Sequence, residues 1–136
     1  MKEIILKGRP VVSGAADGYA VVTKDPISFF GGVNPRTGKI SEKEHPLFGQ
    51  KITNKVLVFP YGKGSTVGAY VIYAMAKYGT MPTAIINVET EIIIASGCAL
   101  VGLPLIDKLD KDPTIAIRTG DKVFVFPNGE VHVHRS

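Results

Sequence analysis

Ser65 sits in the stretch "PYGKGSTVGAY", Pro60 to Tyr70, with Lys63 two residues before it and Gly62, Gly64 and Gly68 around it. A hydroxyl beside a lysine in a glycine-rich turn suits three kinds of chemistry. The turn could cradle a phosphate, raise a serine nucleophile, or cap a helix. A Walker loop places its lysine after the second glycine, and here Lys63 comes before it. A dinucleotide loop needs Gly-x-Gly-x-x-Gly, and Val67 stands where the third glycine belongs, with Gly68 one residue late. A hydrolase elbow needs Gly-x-Ser-x-Gly, and Lys63 and Val67 occupy its two glycine positions. A triad would also need a base, and His45, His132 and His134 are all distant in sequence. What survives is general: free N–H groups at a helix start attract a phosphate, a carboxylate or an alkoxide. Ser65 as a plain N-cap explains the hydroxyl but not Gly62 and Gly64, which allow something to approach the backbone closely. Lys63 adds positive charge that favours the ionised hydroxyl.

The neighbouring elements give this turn its setting. "KVLVFP" reads as a buried strand, and "TAIINV" as another. Between them, Val67, Tyr70, Val71, Ala74, Met75 and Tyr78 recur at helical spacing and predict one apolar helix face. Ser65 is the expected N-cap, Gly79 the residue that ends the helix, and Pro82 bars continuation. The order strand–helix–strand predicts a parallel βαβ unit. "EIILKG" and "YAVVT" read as strands, as do "TIAI", "KVFVF" and "EVHVHR", the last two joined around "PNG". "TEIIIASGCALVG" fits a strand or a short buried helix capped by Thr90. The expected fold is a small α/β domain over residues 1–136. It has a mixed sheet or barrel-like β-layer, one main helix and a shorter one.

Lys24 to Asn54 is a long irregular segment, rich in Gly and Pro. Ile27, Phe29, Phe30, Val33, Leu47 and Phe48 are the apolar residues expected to anchor it. Within it, "PISFFGGVNPRTG" is either an Ω-like loop pinned by aromatics or a pocket wall offering Ser28, Gly31 and Gly32. His132 and His134 share a strand face, expected to be solvated rather than metal-binding because no third ligand is evident. His45 is expected at the surface, and Cys98 in the core.

The 136 residues carry a net charge of +4 and one cysteine. The basic residues are scattered and interleaved with Asp, which argues against nucleic acid. No apolar run reaches transmembrane length, and the N-terminus does not read as a secretory signal, so a cytoplasmic protein is expected. A single cysteine excludes a disulfide framework, and it excludes a cysteine-ligated iron–sulfur cluster held by this chain alone.

"DPISFFGGVNPRTGKI", "EHPLFGQKITNKVLVFPYGKGSTVGAYVIYAMAKYGTMPTAII" and "EIIIASGCALVGLP" follow one another as in the small subunit of the aconitase X family. The resemblance runs roughly from Gly18 to Pro104. Its distinctive part is Pro-Ile-Ser-Phe-aromatic-Gly-Gly followed by Gly-basic-Gly-Ser. It implies a swivelling β/β/α domain paired with a large catalytic subunit that holds a 4Fe-4S cluster, with no cofactor or metal in this chain. It also implies a hydro-lyase that dehydrates (R)-5-phosphomevalonate, a phosphorylated hydroxy acid, in the archaeal isoprenoid route. The hydroxyproline-type dehydratases of the same family and a non-catalytic anion-binding module are the alternatives. Ser65 corresponds to the family's proton acceptor. Lys63, Gly64, Thr66, Ser28, Gly31 and Gly32 would form the substrate-binding set. The chain departs from the family pattern at Lys63, often Arg, and at Thr66, often a second serine. Lysine keeps the charge but loses the bidentate fork. A helix terminus contributes about 0.3–1 kcal/mol at an exposed site. One unit of pKa shift needs about 1.4 kcal/mol. The turn alone therefore cannot make Ser65 a base near neutral pH, and water exclusion and partner charges must supply most of the effect.

Overall fold

A computed structural model describes residues 2–136. Among these the chain begins with β1 (Lys2–Lys7), β2 (Arg9–Val12) and β3 (Ala16–Val22). A single turn α1 (Phe29–Gly32) and a small hairpin, β4 (Val33–Asn34) and β5 (Lys39–Ile40), follow. The central unit is β6 (Val56–Phe59), α2 (Gly68–Tyr78) and β7 (Ala84–Asn87). Then come α3 (Ile92–Val101), β8 (Leu105–Asp107), the one-turn α4 (Pro113–Ala116), β9 (Lys122–Val125) and β10 (Glu130–Arg135).

Eight strands share one sheet in the order β1-β10-β9-β3-β6-β7-β8-β2. Its centre, β3-β6-β7-β8, is parallel, and both ends are antiparallel. β1 and β2 occupy opposite edges, yet only Gly8 separates them in the chain. The sheet therefore curls until its edges meet. This produces two cores. One, inside the curl, gathers Leu6, Ala20, Val56, Val58, Ile86, Val123, Val131 and Val133. The other lies between the sheet and the helices and gathers Leu57, Phe59, Ile85, Leu105, Ile72, Met75, Ile94 and Cys98. β6 alternates between them, Val56 and Val58 facing one and Leu57 and Phe59 the other. A strand buried on both faces must be apolar throughout, which is why "VLVF" shows no polar alternation. The result is the expected mixed α/β architecture, a β-layer curled on itself and covered by helices.

The βαβ expectation holds: β6 and β7 are parallel neighbours, and Gly79 closes α2 in the left-handed region (φ 71°). The buried stripe of α2 differs from the expected one. Gly68, Ile72 and Met75 are buried, while Val67, Tyr70 and Tyr78 are exposed. Apolar residues lie almost all round this helix, so periodicity alone could not select the face that α3 covers. "TEIIIASGCALVG" forms α3, but the cap is Glu91, not Thr90. The Glu91 carboxylate accepts from the amides of Ile93 (2.9 Å) and Ile94 (2.7 Å). The Thr90 amide instead donates to Asp107 Oδ2 at 2.8 Å.

"TIAI" is helical rather than extended. Asp112 caps the Thr114 amide at 2.9 Å, and Pro113 takes the first helical position, where its fixed φ fits. β2, β8 and the β4–β5 hairpin go beyond the expected elements; β2 and β8 are short and pair with strands distant in sequence, and β4 and β5 contribute two residues each to a local hairpin. β9 and β10 do join around "PNG", with Gly129 at φ 94°. The segment from Lys24 to Asn54 is ordered. Ile27, Phe29, Val33, Ile40, Leu47 and Ile52 are buried, but Phe30 and Phe48, expected as anchors, are 55% and 52% exposed. No helix among the described residues is long and apolar enough to cross a membrane.

Candidate active site

β6 ends at Phe59, and the chain turns through Pro60 to Val67 before α2 begins. Two strips of sequence meet here. Ile27 bridges Gly62 in parallel fashion; the Ile27 amide donates to Tyr61 O (3.3 Å) and the Lys63 amide donates to Ile27 O (3.1 Å). Beneath them the Phe29 and Phe59 rings pack with centroids 6.2 Å apart. At Gly62 a Cβ would lie 2.5 Å from Ile94 Cγ1 and 3.0 Å from Glu91 Oε1. At Gly64 the backbone has φ +100°, and a Cβ would lie 2.6 Å from Ser28 Oγ. Any side chain there is strained by both conformation and crowding. The glycines a cap alone does not require are thus explained by close packing on α3 and on Ser28.

Ser65 does not cap α2 directly. The helix opens at Gly68 after Val67, and Ser65 Oγ accepts from the Val67 amide at 3.1 Å. The Gly68 amide donates to Ser65 O at 3.0 Å. The hydroxyl therefore closes a local turn just ahead of the helix, a common serine motif. The bonds to Ser65 are spent on this turn, and the helix begins three residues further on, at Gly68. Lys63, Gly64, Ser65 and Thr66 are all exposed. Among the described residues the amides of Gly64, Ser65 and Thr66 donate to no protein group.

The "PISFFGG" strip supplies the facing wall. Ser28 Oγ, which lies against Gly64, donates to Phe30 O at 3.1 Å. Gly31 (φ +82°) is exposed, and its carbonyl accepts from Ser41 Oγ at 3.1 Å. Gly32 is buried, with its carbonyl accepting from the Ser41 amide at 2.9 Å. The structure brings Ser28, Lys63, Gly64, Ser65 and Thr66 together. Gly31 and Gly32 are tied to Ser41, and a Cβ on Gly32 would lie 3.8 Å from Ser28 Cβ.

One wall was missed by sequence reasoning. A cavity of about 500 Å³ opens beside Gly62, lined by Pro60, Tyr61, Val88, Glu89, Thr90 and Glu91. It lies beyond the carboxyl ends of β6 and β7, where open parallel sheets bind ligands. The available signal was that "TAIINVETEIII" repeats the strand–turn–helix order of the first turn.

His45 is not a surface residue: it is 6% exposed and fully hydrogen-bonded, Nε2 to Pro26 O (3.2 Å) and Nδ1 to the Leu47 amide (3.0 Å). Of its neighbours in "HPLFG" only Leu47 is buried with it; Pro46, Phe48 and Gly49 are exposed. His132 and His134 lie on β10, on a partly solvated strand face as expected, beside Glu130 and Glu3. None of the three histidines hydrogen-bonds to Ser65. Cys98 is buried, and burial pushes its thiol up to about 12. No group of three or more His, Cys, Asp or Glu among the described residues could hold a metal. The residues of this chain therefore do not fit an iron–sulfur cluster.

Behind the second wall, Asp107 is wholly buried and takes a bidentate contact from Arg9, 2.9 Å at each oxygen. Burial alone would raise the Asp107 carboxyl. The Arg9 guanidinium and the Thr90 amide outweigh it and hold the group below the usual range.

Residues 5–133 match the family described as the aconitase X swivel domain. The phosphomevalonate dehydratase small subunit of Methanosarcina acetivorans is 50% identical over 125 residues, covering 92% of this chain and 87% of its own. The phosphomevalonate dehydratase small subunit of Pyrococcus furiosus is 50% identical over 129 residues, covering 94% of each. The crystal structure of Thermococcus kodakaraensis aconitase X in its holo-form superposes with a TM-score of 0.92 at 45% identity, covering 97% of this chain and 99% of that one. The chain belongs to the aconitase X swivel domain family.

Proposed function

We propose that this chain is the small subunit of a two-chain hydro-lyase. The enzyme dehydrates (R)-5-phosphomevalonate to trans-anhydromevalonate 5-phosphate, with Ser65 as proton acceptor. The substrate class rests on the relatives named as phosphomevalonate dehydratase small subunits. The assignment of Ser65 rests on the Gly-basic-Gly-Ser resemblance and on one structural observation: an exposed hydroxyl in a turn whose Gly64, Ser65 and Thr66 amides have no partner among the described residues.

Dehydration beside a carboxylate removes a proton from the neighbouring carbon while the hydroxyl leaves the next one. Ser65 Oγ takes that proton. The free amides and the Lys63 charge stabilise the alkoxide that does so, and the same donors suit the substrate's carboxylate or phosphate. Ser28 and Gly64 define how near the substrate can come.

This chemistry needs a dry site, and Ser65 is exposed. Apolar side chains flank the turn and have nothing over them: Phe30 is 55% exposed, Val67 40%, Tyr70 71% and Ile92 78%. A large subunit seated on these residues removes the water and supplies what this chain lacks, including any cluster.

Ser65→Ala in the reconstituted two-chain enzyme tests the reading. Turnover should fall about 10²–10⁴-fold, the usual contribution of a positioned acid or base. Turnover near wild type in an intact complex overturns it. Measurable affinity of the isolated chain for the substrate would instead favour a binding module.

A further inference from the structure

The Gly-Lys-Gly-Ser turn is aligned by the Pro26–Ser28 strip, through the Ile27–Gly62 bridge and the two hydrogen bonds at Ile27. That strip has its own anchor. Pro26 has no N–H, so its carbonyl is the backbone group through which it can be held. His45 holds it: Nε2 lies 3.2 Å from Pro26 O. The Leu47 amide donates to Nδ1 at 3.0 Å, and the Phe48 amide donates to His45 O at 3.0 Å. A carbonyl can only accept, and Nδ1 is already accepting. The proton therefore sits on Nε2, and the ring has one tautomer with both nitrogens engaged. The loop around His45 and the strip around Ile27 form one unit, with the catalytic turn as its outer edge.

We propose that His45 is a positioning residue, resting on the reading of Ser65 as proton acceptor. It fixes Pro26, hence Ile27, hence the distance and angle of the Gly62–Ser65 turn to the substrate. It takes no part in proton transfer, being buried beneath the loop with both nitrogens occupied. Alignment of reacting groups is where small displacements are expensive: a misplacement of about 1 Å costs on the order of 10²-fold in rate.

Two substitutions separate the two ring contacts. His45→Gln places an amide nitrogen near the Nε2 position and keeps the bond to Pro26. His45→Asn keeps an acceptor for the Leu47 amide and loses Pro26. In the two-chain enzyme, His45→Asn should lower kcat about tenfold or more with a smaller change in KM, while His45→Gln stays within about threefold of wild type. Wild-type kcat in His45→Asn, or equal losses in both variants, overturns the proposal. Should His45→Asn fail to assemble, imidazole nitrogen NMR on the wild-type chain decides: the Nε2–H tautomer supports the proposal, and the Nδ1–H tautomer overturns it. Ser65→Ala is assayed alongside. Loss there with a wild-type His45→Asn sinks the positioning role alone, whereas wild-type turnover in Ser65→Ala sinks the proton-acceptor reading and this inference with it.

Discussion

Two regions of the molecule are rich in polar side chains, and they treat them in opposite ways. On the antiparallel half of the sheet, charges are matched within the fold. His134 Nε2 lies 2.7 Å from Glu3 and His132 Nε2 3.0 Å from Glu130. Arg135 meets both oxygens of Asp121, at 3.1 and 2.7 Å. Lys122 lies 2.9 Å from Asp17. The rings of Phe124 and Phe126 lie against His134 and His132, with centroids 5.1 and 4.6 Å away. At the turn after β6 the opposite holds: a lysine, two hydroxyls and three amides lie on exposed residues, and of these side-chain and amide groups only Ser65 Oγ has a partner among the described residues, the Val67 amide. Paired groups hold a fold together, each by a small amount at the surface. Donors left unpaired add nothing to stability and stay available to a ligand.

The contrast can be broken from either side. The largest effect expected is the loss of turnover in Ser65→Ala, about 10²–10⁴-fold. Its thermal unfolding midpoint should stay within about 2 °C of wild type, since surface changes rarely exceed about 0.5 kcal/mol. A marked fall in the midpoint would mean that Ser65 serves the fold after all. Gly64→Ala should show both penalties at once, in steady-state kinetics and in denaturant titration. Contact with Ser28 displaces the turn and lowers kcat about 10²-fold, and the left-handed backbone costs about 1–2 kcal/mol. Unchanged kcat there would detach the turn's geometry from catalysis.

Acid titration addresses the paired groups. Asp107 and Asp121 titrate below the usual carboxylate range: burial pushes both up, but their arginines and backbone amides outweigh it. A carboxyl depressed in the folded state stabilises at a pH above its unfolded value and loses that contribution as pH falls through the folded one. The midpoint should therefore hold down to about pH 4 and drop below it, where these carboxylates protonate. A midpoint flat well below that range would show that the pairs contribute nothing. The smallest effect is expected from the double variant His132→Gln, His134→Gln. Turnover should be unchanged, and urea denaturation should reveal a loss of less than about 1 kcal/mol. A turnover defect would place chemistry on the wrong half of the sheet.

What the sequence made legible was local. The βαβ unit followed from two apolar runs, a helical spacing and Gly79, all read within short windows. The Gly-Lys-Gly-Ser turn was visible because glycines and a lysine at that spacing serve no ordinary helix start. Illegible were the features decided by distant partners. Which face of α2 is buried depends on α3. β2 exists because β8 lies beside it, and Thr90 gave up the cap because Asp107, 17 residues later, takes its amide. Nothing local marks His45 as buried, since histidine is intermediate in burial and its neighbours Glu42, Lys43 and Glu44 are charged. Its burial depends on Pro26, which sequence places 19 residues away. The Val88–Glu91 wall was hidden by the uncertainty between strand and helix in the residues that follow it.

The meeting of β1 and β2 at Gly8 bears on how such a subunit keeps its company. Open sheets invite further strands, and a chain built to sit beside a different partner is at risk of pairing with copies of itself. Here the two edge strands run into one another, and they carry Lys2, Glu3, Lys7, Arg9 and Pro10. Charge and a missing N–H on edge strands discourage strand addition. Self-association by sheet extension is disfavoured at these edges, whereas the exposed apolar residues Phe30, Val67 and Tyr70 lie at the loop end of the molecule, near Ser65.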